Sequence, residues 1–475
     1  MKFRLYSQGQ VMLLPPDIQE KIPKNHLIRA INTVVEQLDM QKLYNSYSEE
    51  GQPGYHPKML LKLLLYGYST GIRSSRKIAQ KTESDIYYMY LSGMQSPDFR
   101  TISDFRKLKL EYIQGYFVEV VTLCKRLGMI NFGHISIDGS KIKANASKQQ
   151  NYIKDDILQF ESRIEEEIKE IISGAEKTDI EEDKQYGKEK RGDEIPEELT
   201  DKHKLLEKIK QAKKEIEEEK LKRINLTDKD SRLMLNSDGG YNMNYNAQIA
   251  VDSTNQIIVS YDVVSKENDY HEFIPIYEQS INNTKMIPDE VSADAGYSSG
   301  ETYNYVRDNE IDAYIPDGKL NKELDKKTGE EKIFKYDRRN FKYDEAKNEY
   351  YCPEEKSLKF KHNSKRNGIK FKIYEGSKCS QCNNRRLCIS KPGAKNRQIQ
   401  IYENDEKKLE IRNKLKSNEG MSKYLKRLST VEPVFAHIKG IMGFRQFLLR
   451  GREKVKTEFS LICMAHNIKK IKLVI

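Results

Sequence analysis

The chain is poor in apolar residues and has no long run of them. Of 475 residues only 37% are hydrophobic, against 33% charged. No stretch of 18 or more apolar residues occurs, which excludes an apolar membrane-spanning helix. The opening residues, Met-Lys-Phe-Arg-Leu-Tyr, lack the apolar segment of a secretory leader. A soluble, cytoplasmic protein is expected, in which disulfides are the least expected use of the six cysteines. The length suits two or three domains, and the modest apolar fraction leaves part of the chain as solvated helix or linker.

What the chain has in quantity is charge, with 83 Lys and Arg against 72 Asp and Glu, a net +11. The excess is local, since residues 395–475 carry 19 basic and 8 acidic side chains. A basic C-terminal segment fits a polyanion, because each phosphate neutralised releases counterions. Charge placed for solubility alone would give the same balance.

Residues 1–130 read as a helical domain. Pro57-Lys-Met-Leu-Leu-Lys-Leu-Leu-Leu-Tyr66 opens with Pro near a helix start and is apolar nearly all round, so a buried helix is expected, punctuated by Gly67 and Gly71. Short helices follow around 74–81 and 84–91, and Thr101 or Ser103 is placed to cap another through Phe117. Arg73, Arg76, Lys77 and Lys81 on such helices suit a helix-turn-helix-like DNA reader, and equally a plain helical bundle.

At Gly133 the period changes to two: Ile135 and Ile137 alternate with Ser136, and Asp138 ends the run before Gly139, as in a central strand. Residues 148–235 form a Glu/Lys-dense helical insert, broken around Lys184 to Pro196, which fits a hairpin arm with salt-bridged faces. Strands are expected at 241–251 and 257–264, joined by a turn at 252–255, then a helix around 273–281, a strand reaching Asp294, a helix capped by Ser298 or Ser299, and a fifth strand at 313–315. The fold class is α/β, a mixed five-stranded sheet with one antiparallel hairpin. Residues 317–398 interrupt it as a β-rich insert, and the chain from about Glu403 is helical again, with an apolar stripe through Val431, Val434, Phe435, Ile438 and Met442.

Three acids stand out: Asp138, Asp294 and Glu432. Each has a bland use: a turn pair with Gly139, a helix cap, and the last member of a capping box begun by Ser429. Two of them, however, end apolar strands, and the carboxyl ends of neighbouring strands are where α/β sheets build sites. A box begun at Ser429 would put Pro433, which has no N–H, in the first helical turn. Glu432 and Lys439 lie seven residues apart on one helix face, beside Arg427, Arg445 and Arg450. Three converging carboxylates suit two Mg²⁺ or Mn²⁺ ions held against a phosphodiester. Asp269, near His271, is a rival carboxylate that fits a helix cap.

Four cysteines cluster in the β-rich insert: Cys352, then Cys379-x2-Cys382-x5-Cys388. In a core-poor segment these thiols form a candidate structural Zn²⁺ site, with free thiols as the alternative. Cys124 and Cys463 sit in apolar helical contexts and are expected to be buried.

Taken together, the helical N-terminal region, Asp138-Gly-Ser-Lys-Ile-Lys-Ala, Asp294-Ala-Gly-Tyr, and Val431-Glu-Pro-Val-Phe through Gly443-Phe-Arg resemble the DDE transposases of bacterial insertion sequences. One branch of that family carries Tyr-x2-Arg-x3-Glu-x6-Lys. Tyr424, Arg427, Glu432 and Lys439 are similar to it, with four rather than three residues between Arg427 and Glu432. The resemblance implies an RNase H-like catalytic domain over 131–475, interrupted by the inserts 148–235 and 317–398, behind a DNA-binding domain over 1–130. It implies two-metal DNA cleavage and strand transfer, with Asp138 bridging both ions and Asp294 and Glu432 each holding one. Lys439 and Arg427 would clamp phosphates, Tyr424 would stack a displaced base, and Arg445 and Arg450 would contact DNA. Its implied partners are the terminal inverted repeats and target DNA, with a homodimer pairing two ends in a bacterial, nucleoid-associated setting. A non-catalytic DNA-binding derivative and a nuclease without strand transfer are the rival readings.

Overall fold

The computed structural model describes residues 17–48, 54–186, 197–236, 239–320, 333–366, 369–391 and 393–474. Residues 187–196, which hold most of the expected break in the helical arm, lie outside them.

The helix Pro57–Ser69 forms as its apolar composition requires, with Pro57 in its first turn and the His56 ring accepting the Lys58 N–H. Every residue in it except Lys58 is buried. Gly67 does not punctuate the helix but lies inside it. A Cβ there would stand 3.0 Å from the Ile78 side chain and closer still to the Ile72 carbonyl, so glycine lets the following loop pass close by. The helices Ser75–Ser84 and Ile86–Ser92 follow. The next begins at Phe99, not at Thr101 or Ser103, because Asp98 accepts the Arg100 N–H at 2.7 Å. It breaks at Lys109 before Leu110–Arg126.

Thirteen strands are described: β1 (His134–Lys143), β2 (Asn151–Ile153), β3 (Arg223–Asn225), β4 (Arg232–Leu235), β5 (Tyr241–Asp252), β6 (Ile257–Val264), β7 (Glu290–Ala293), β8 (Ala313–Tyr314), β9 (Lys342–Asp344), β10 (Glu349–Tyr351), β11 (Ser357–Arg366), β12 (Ile369–Gly376) and β13 (Gln398–Tyr402). The main sheet is mixed and runs β4-β5-β1-β7-β8, with β6 also paired to β5. It has six strands rather than the five expected. The sixth, β4, is four residues long and pairs only with the first residues of β5, too short for its alternation to stand out beside the arm.

Asp138 does not end its strand. β1 continues to Lys143 because β5 pairs with it antiparallel along almost its whole length. The parallel neighbour β7 stops earlier, at the pair Ile137 and Ala293. Asp138 and Asp294 are the next residues on each strand, side by side where the β1–β7 ladder ends.

The helix Asn418–Ala436 lies across this sheet and runs on into a π-helical turn, His437–Ile441. Pro433 is inside the helix and cannot donate to the Ser429 carbonyl. The Gln256 side chain takes that carbonyl instead, at 2.7 Å. Ser429 is mid-helix and bonds back to the Lys426 carbonyl, so the capping box does not exist.

One hydrophobic core joins the N-terminal helices, the sheet and the last helix, Arg452–Ile471. That helix is buried continuously from Thr457 to Ile468, packed against Leu27–Glu36, Pro57–Ser69, Leu110–Arg126 and β6. Its buried Glu458 accepts N–H bonds from Leu448 and Leu449, both 2.9 Å, and the Tyr68 hydroxyl at 3.1 Å; Arg106 donates to Tyr68 in turn. The chain before the helix is thereby tied to the N-terminal bundle.

Two satellites have small cores of their own. The arm helices Lys154–Tyr186 and Glu197–Glu218 pack through Ile157, Ile164 and Ile168 against Ile209, Ala212 and Ile216, and the β2–β3 ladder closes their base. Cross-helix pairs such as Lys213–Glu161 at 2.7 Å and Lys210–Glu165 at 3.1 Å dress the arm. β9 to β13 form an antiparallel meander around Phe341, Leu358, Tyr374 and Ile399. No helix among the described residues is long and apolar enough to cross a membrane.

Candidate active site

Strand alternation decides what faces the helix Asn418–Ala436. On β1, Ile135 and Ile137 point away from it, while His134, Ser136 and Asp138 point toward it; on β7 the matching residues are Glu290 and Ser292, followed by Asp294. Asp138 and Asp294 thus share one face, beneath the helix that carries Glu432. Arg427, also on that helix, places its guanidinium between two of the acids, 3.2 Å from Asp138 Oδ2 and 3.2 Å from Glu432 Oε1. Its Nε is buried without a partner, and the Tyr424 ring lies beside it, 5.8 Å from the guanidinium carbon.

The charges are in conflict there. Burial pushes the Asp138 carboxyl up to about 7, Arg427 opposes, and the carboxylates of Asp294 and Asp269 push further. Asp294 is raised by burial too, against the Gly296 N–H that bonds it at 2.8 Å. Arg427 is held above its ordinary value: burial works against its charge, and Asp138, Tyr424, Asp294 and Glu432 more than compensate. Two buried acids with one guanidinium leave room for more positive charge.

Of the other residues singled out from the sequence, Lys439 reaches β1 and donates to Ser140 Oγ at 2.5 Å and the Lys141 carbonyl at 3.1 Å. Burial lowers its pKa, with Asp138 pulling the other way and Arg445 adding to the drop. Arg445 and Arg450 sit on the strap between the π-helical turn and the last helix, which runs beside the end of β1 through Lys143 and Gln446. Both are exposed, and each uses its Nε on a backbone carbonyl, of Lys439 and Asn145. The strap makes a basic rim on the acidic centre. Arg73 is not displayed for a ligand; it donates to the carbonyls of Gln446 and Gly443 and lies over Phe444. Arg76 lies over Phe99 and Lys81 pairs with Asp85, while Lys77 is exposed.

Asp269 is not a helix cap. Its side chain accepts from Asn246 Nδ2 at 2.7 Å and Gln248 Nε2 at 2.5 Å. The register pairs Gln248 with Gly139, on the opposite face of β1 from Asp138. A Cβ on Gly139 would come within 2.6 Å of Asp269 Oδ1. The Asp-Gly pair is therefore no turn: the glycine leaves space for a second carboxylate behind the first. Tyr297 of the Asp-Ala-Gly-Tyr block donates to Gln248 Oε1 and completes this support. Asn244, Asn246 and Gln248 are polar at every second position of an apolar strand, the sequence signal that marked this face.

A further polar chain anchors the helix. Glu290 takes Lys423 at 2.7 Å, Lys426 at 3.4 Å and His134 Nδ1 at 3.1 Å, and His134 Nε2 reaches Ser292, which bonds Ser136.

The donors at Asp138, Asp294 and Glu432 are all oxygens, suited to a hard divalent cation. Among the described residues, however, no three acidic, His or Cys side chains stand ready as an ion cage; Arg427 spans two of the acids instead. Cys352, Cys379, Cys382 and Cys388 line one small cavity of about 30 Å³, and the same geometric result applies to them. Cys379 Sγ accepts the Arg397 N–H at 3.4 Å. Cys124 and Cys463 are buried, as expected.

Residues 351–472 match a family model described as "Transposase DDE domain", and residues 16–108 match one described as "Transposase domain". The first match contains Glu432 and the four clustered cysteines; Asp138 and Asp294 lie between the two. No curated protein matches the chain.

Burial raises Glu290, but hydrogen bonds from Lys423 and His134 and the charges of Lys426 and Lys423 outweigh it and hold it at about 2, below the ordinary 4.5. A depressed acid stabilises the fold above its unfolded pKa and loses that contribution as pH falls through the folded value. Resistance to urea is therefore expected to fall between pH 4.5 and 2, and Glu290→Gln to flatten that fall; an unchanged slope in the variant would contradict the anchor.

Proposed function

We propose that this chain, which belongs to the insertion-sequence transposases with a DDE domain, cuts DNA and joins the freed strand to a new site at Asp138, Asp294 and Glu432. The observation that carries the proposal is the placement of Asp138 and Asp294 as neighbours at the end of the β1–β7 ladder, with Glu432 linked to Asp138 through Arg427. The mixed sheet with a carboxylate helix across it supports an RNase H-like core. In domain terms we assign 1–130 to DNA binding and 131–475 to catalysis, with inserts at 148–235 and 317–398.

Asp138, Asp294 and Glu432 would hold two Mg²⁺ or Mn²⁺ ions, which would activate the attacking oxygen and stabilise the leaving 3′ oxygen. The chain's own residues do the rest. Arg427 neutralises Asp138 and Glu432 while the site is free, and its planar fork then suits a phosphate. Lys439 is fixed against β1 next to Asp138, where its ammonium meets the strand being cut. Arg445 and Arg450 present unused guanidinium nitrogens to the flanking backbone, and Tyr424 offers a ring beside the site for an unpaired base. The partners are the terminal inverted repeats and target DNA, with a homodimer holding two ends, in the cytoplasm at the nucleoid.

Asp138→Asn keeps the shape of the side chain and loses its charge. We expect it to abolish Mg²⁺-dependent cleavage while leaving terminal-repeat binding intact in a gel-shift assay; continued cutting would overturn the assignment. Joined products from pre-cut ends with wild-type protein distinguish a transposase from a nuclease that only hydrolyses. We also propose that Cys352, Cys379, Cys382 and Cys388 close on a structural Zn²⁺. One zinc per chain by elemental analysis is the expected result, and clean protein without zinc would end the idea.

A further inference from the structure

A wide groove lies away from the three acids. It measures about 1310 Å³, with one wall on the β9–β13 sheet and another on the helix Asp405–Lys416. Nine Lys and Arg line it against five Asp and Glu, so its occupant should be anionic.

Strand alternation sorts the sheet wall. The pairs Tyr343 with Tyr350, Phe360 with Tyr374, and Lys372 with Ile401 put these side chains on one face. There the rings form a chain: Tyr343 to Tyr350 at 4.7 Å, Tyr350 to Tyr374 at 4.8 Å, and Tyr374 to Phe360 at 5.7 Å between centroids. Its two ends are open, Tyr343 being 47% and Phe360 40% exposed.

Beyond the rings, Lys365 and Lys370 stand directly opposite each other in register, with Lys372 two residues along on the same face. Like charges paired across a ladder destabilise a sheet. No ion pair involving any of the three is present among the described residues, whereas three acids of the groove are already engaged: Asp317 with Arg412, Asp337 with Arg339, and Asp405 with Arg338. The lysines are open to an outside anion, and the exposed ring of Tyr343 to a flat partner.

One ligand class supplies both. In a single strand of DNA the base faces are free to stack and the phosphates run alongside; in a duplex the base faces are hidden. We propose that this groove binds single-stranded DNA, with a base on Tyr343 and phosphates on Lys365, Lys370 and Lys372. The proposal rests on nucleic acid as the partner of the chain, and not on its catalysis.

The test is fluorescence anisotropy with the full chain carrying Asp138→Asn, without divalent metal, against an oligothymidylate of ~15 nucleotides, near the upper site size of one such module. Replacing Lys365, Lys370 and Lys372 by Gln is expected to reduce the slope of log K against log salt by about 2. Tyr343→Leu is expected to weaken binding about tenfold with the slope kept. Wild-type affinity and slope in the triple variant would overturn the proposal, and so would displacement by polyglutamate as readily as by oligothymidylate. The lysines are exposed, so the triple variant decides the matter even if Tyr343→Leu fails to fold. A chain that cuts DNA but shows no groove-dependent binding sinks the groove alone; one that binds but never cuts sinks only the catalytic reading.

Discussion

The site depends on how the helix Asn418–Ala436 is pinned across two parallel strands. Glu432 is half-exposed, and its ion pair is with Arg427 of the same helix rather than with the sheet. Its position is set by neighbours: Lys423 and Lys426 on Glu290 of β7, Arg427 on Asp138 of β1, Gln256 on the carbonyl that Pro433 leaves unbonded, and Lys439 on the edge of β1. A proline inside a helix ordinarily costs about 3 kcal/mol. Here the freed carbonyl becomes a docking point, so the break in helical bonding holds the helix to the turn between β5 and β6.

The same contacts create the electrostatic tension that makes the centre chemically useful. Two aspartates on adjacent strands, both buried, with a third carboxylate behind Gly139, cannot all stay ionised without compensation. Arg427 compensates in part. It is also the residue that must give way if cations are to bind, which makes one side chain both the stabiliser of the free protein and the gate of the site. Around it the last helix is buried from Thr457 to Ile468, and Glu458 ties the basic strap to the N-terminal helices.

Much of this was legible in the sequence. The apolar run from Pro57, the alternation through Ile135 and Ile137 and the hairpin at 252–255 all appear as expected, because each rests on a local period. The three acids were singled out, and the structure sets two of them side by side. What eluded the sequence was non-local. That Asp138 lies mid-strand follows from the length of β5, not from its own neighbours. That Gly139 makes room for Asp269 depends on a residue 130 positions away. That the helix runs on through Ser429 and Pro433 rests on the Gln256 contact, which cannot be read locally. Glu290 and His134 gave no signal beyond being polar at strand starts.

Asp138 and Asp294 are proposed to form one cation-binding centre beneath the helix of Glu432. The most direct measurement is the anomalous difference density of Mn²⁺ in a crystal of the chain. Mn²⁺ is expected in contact with both Asp138 and Asp294, with Arg427 drawn away from Asp138. Mn²⁺ bound elsewhere, with the Arg427–Asp138 pair intact at saturating metal, would contradict it.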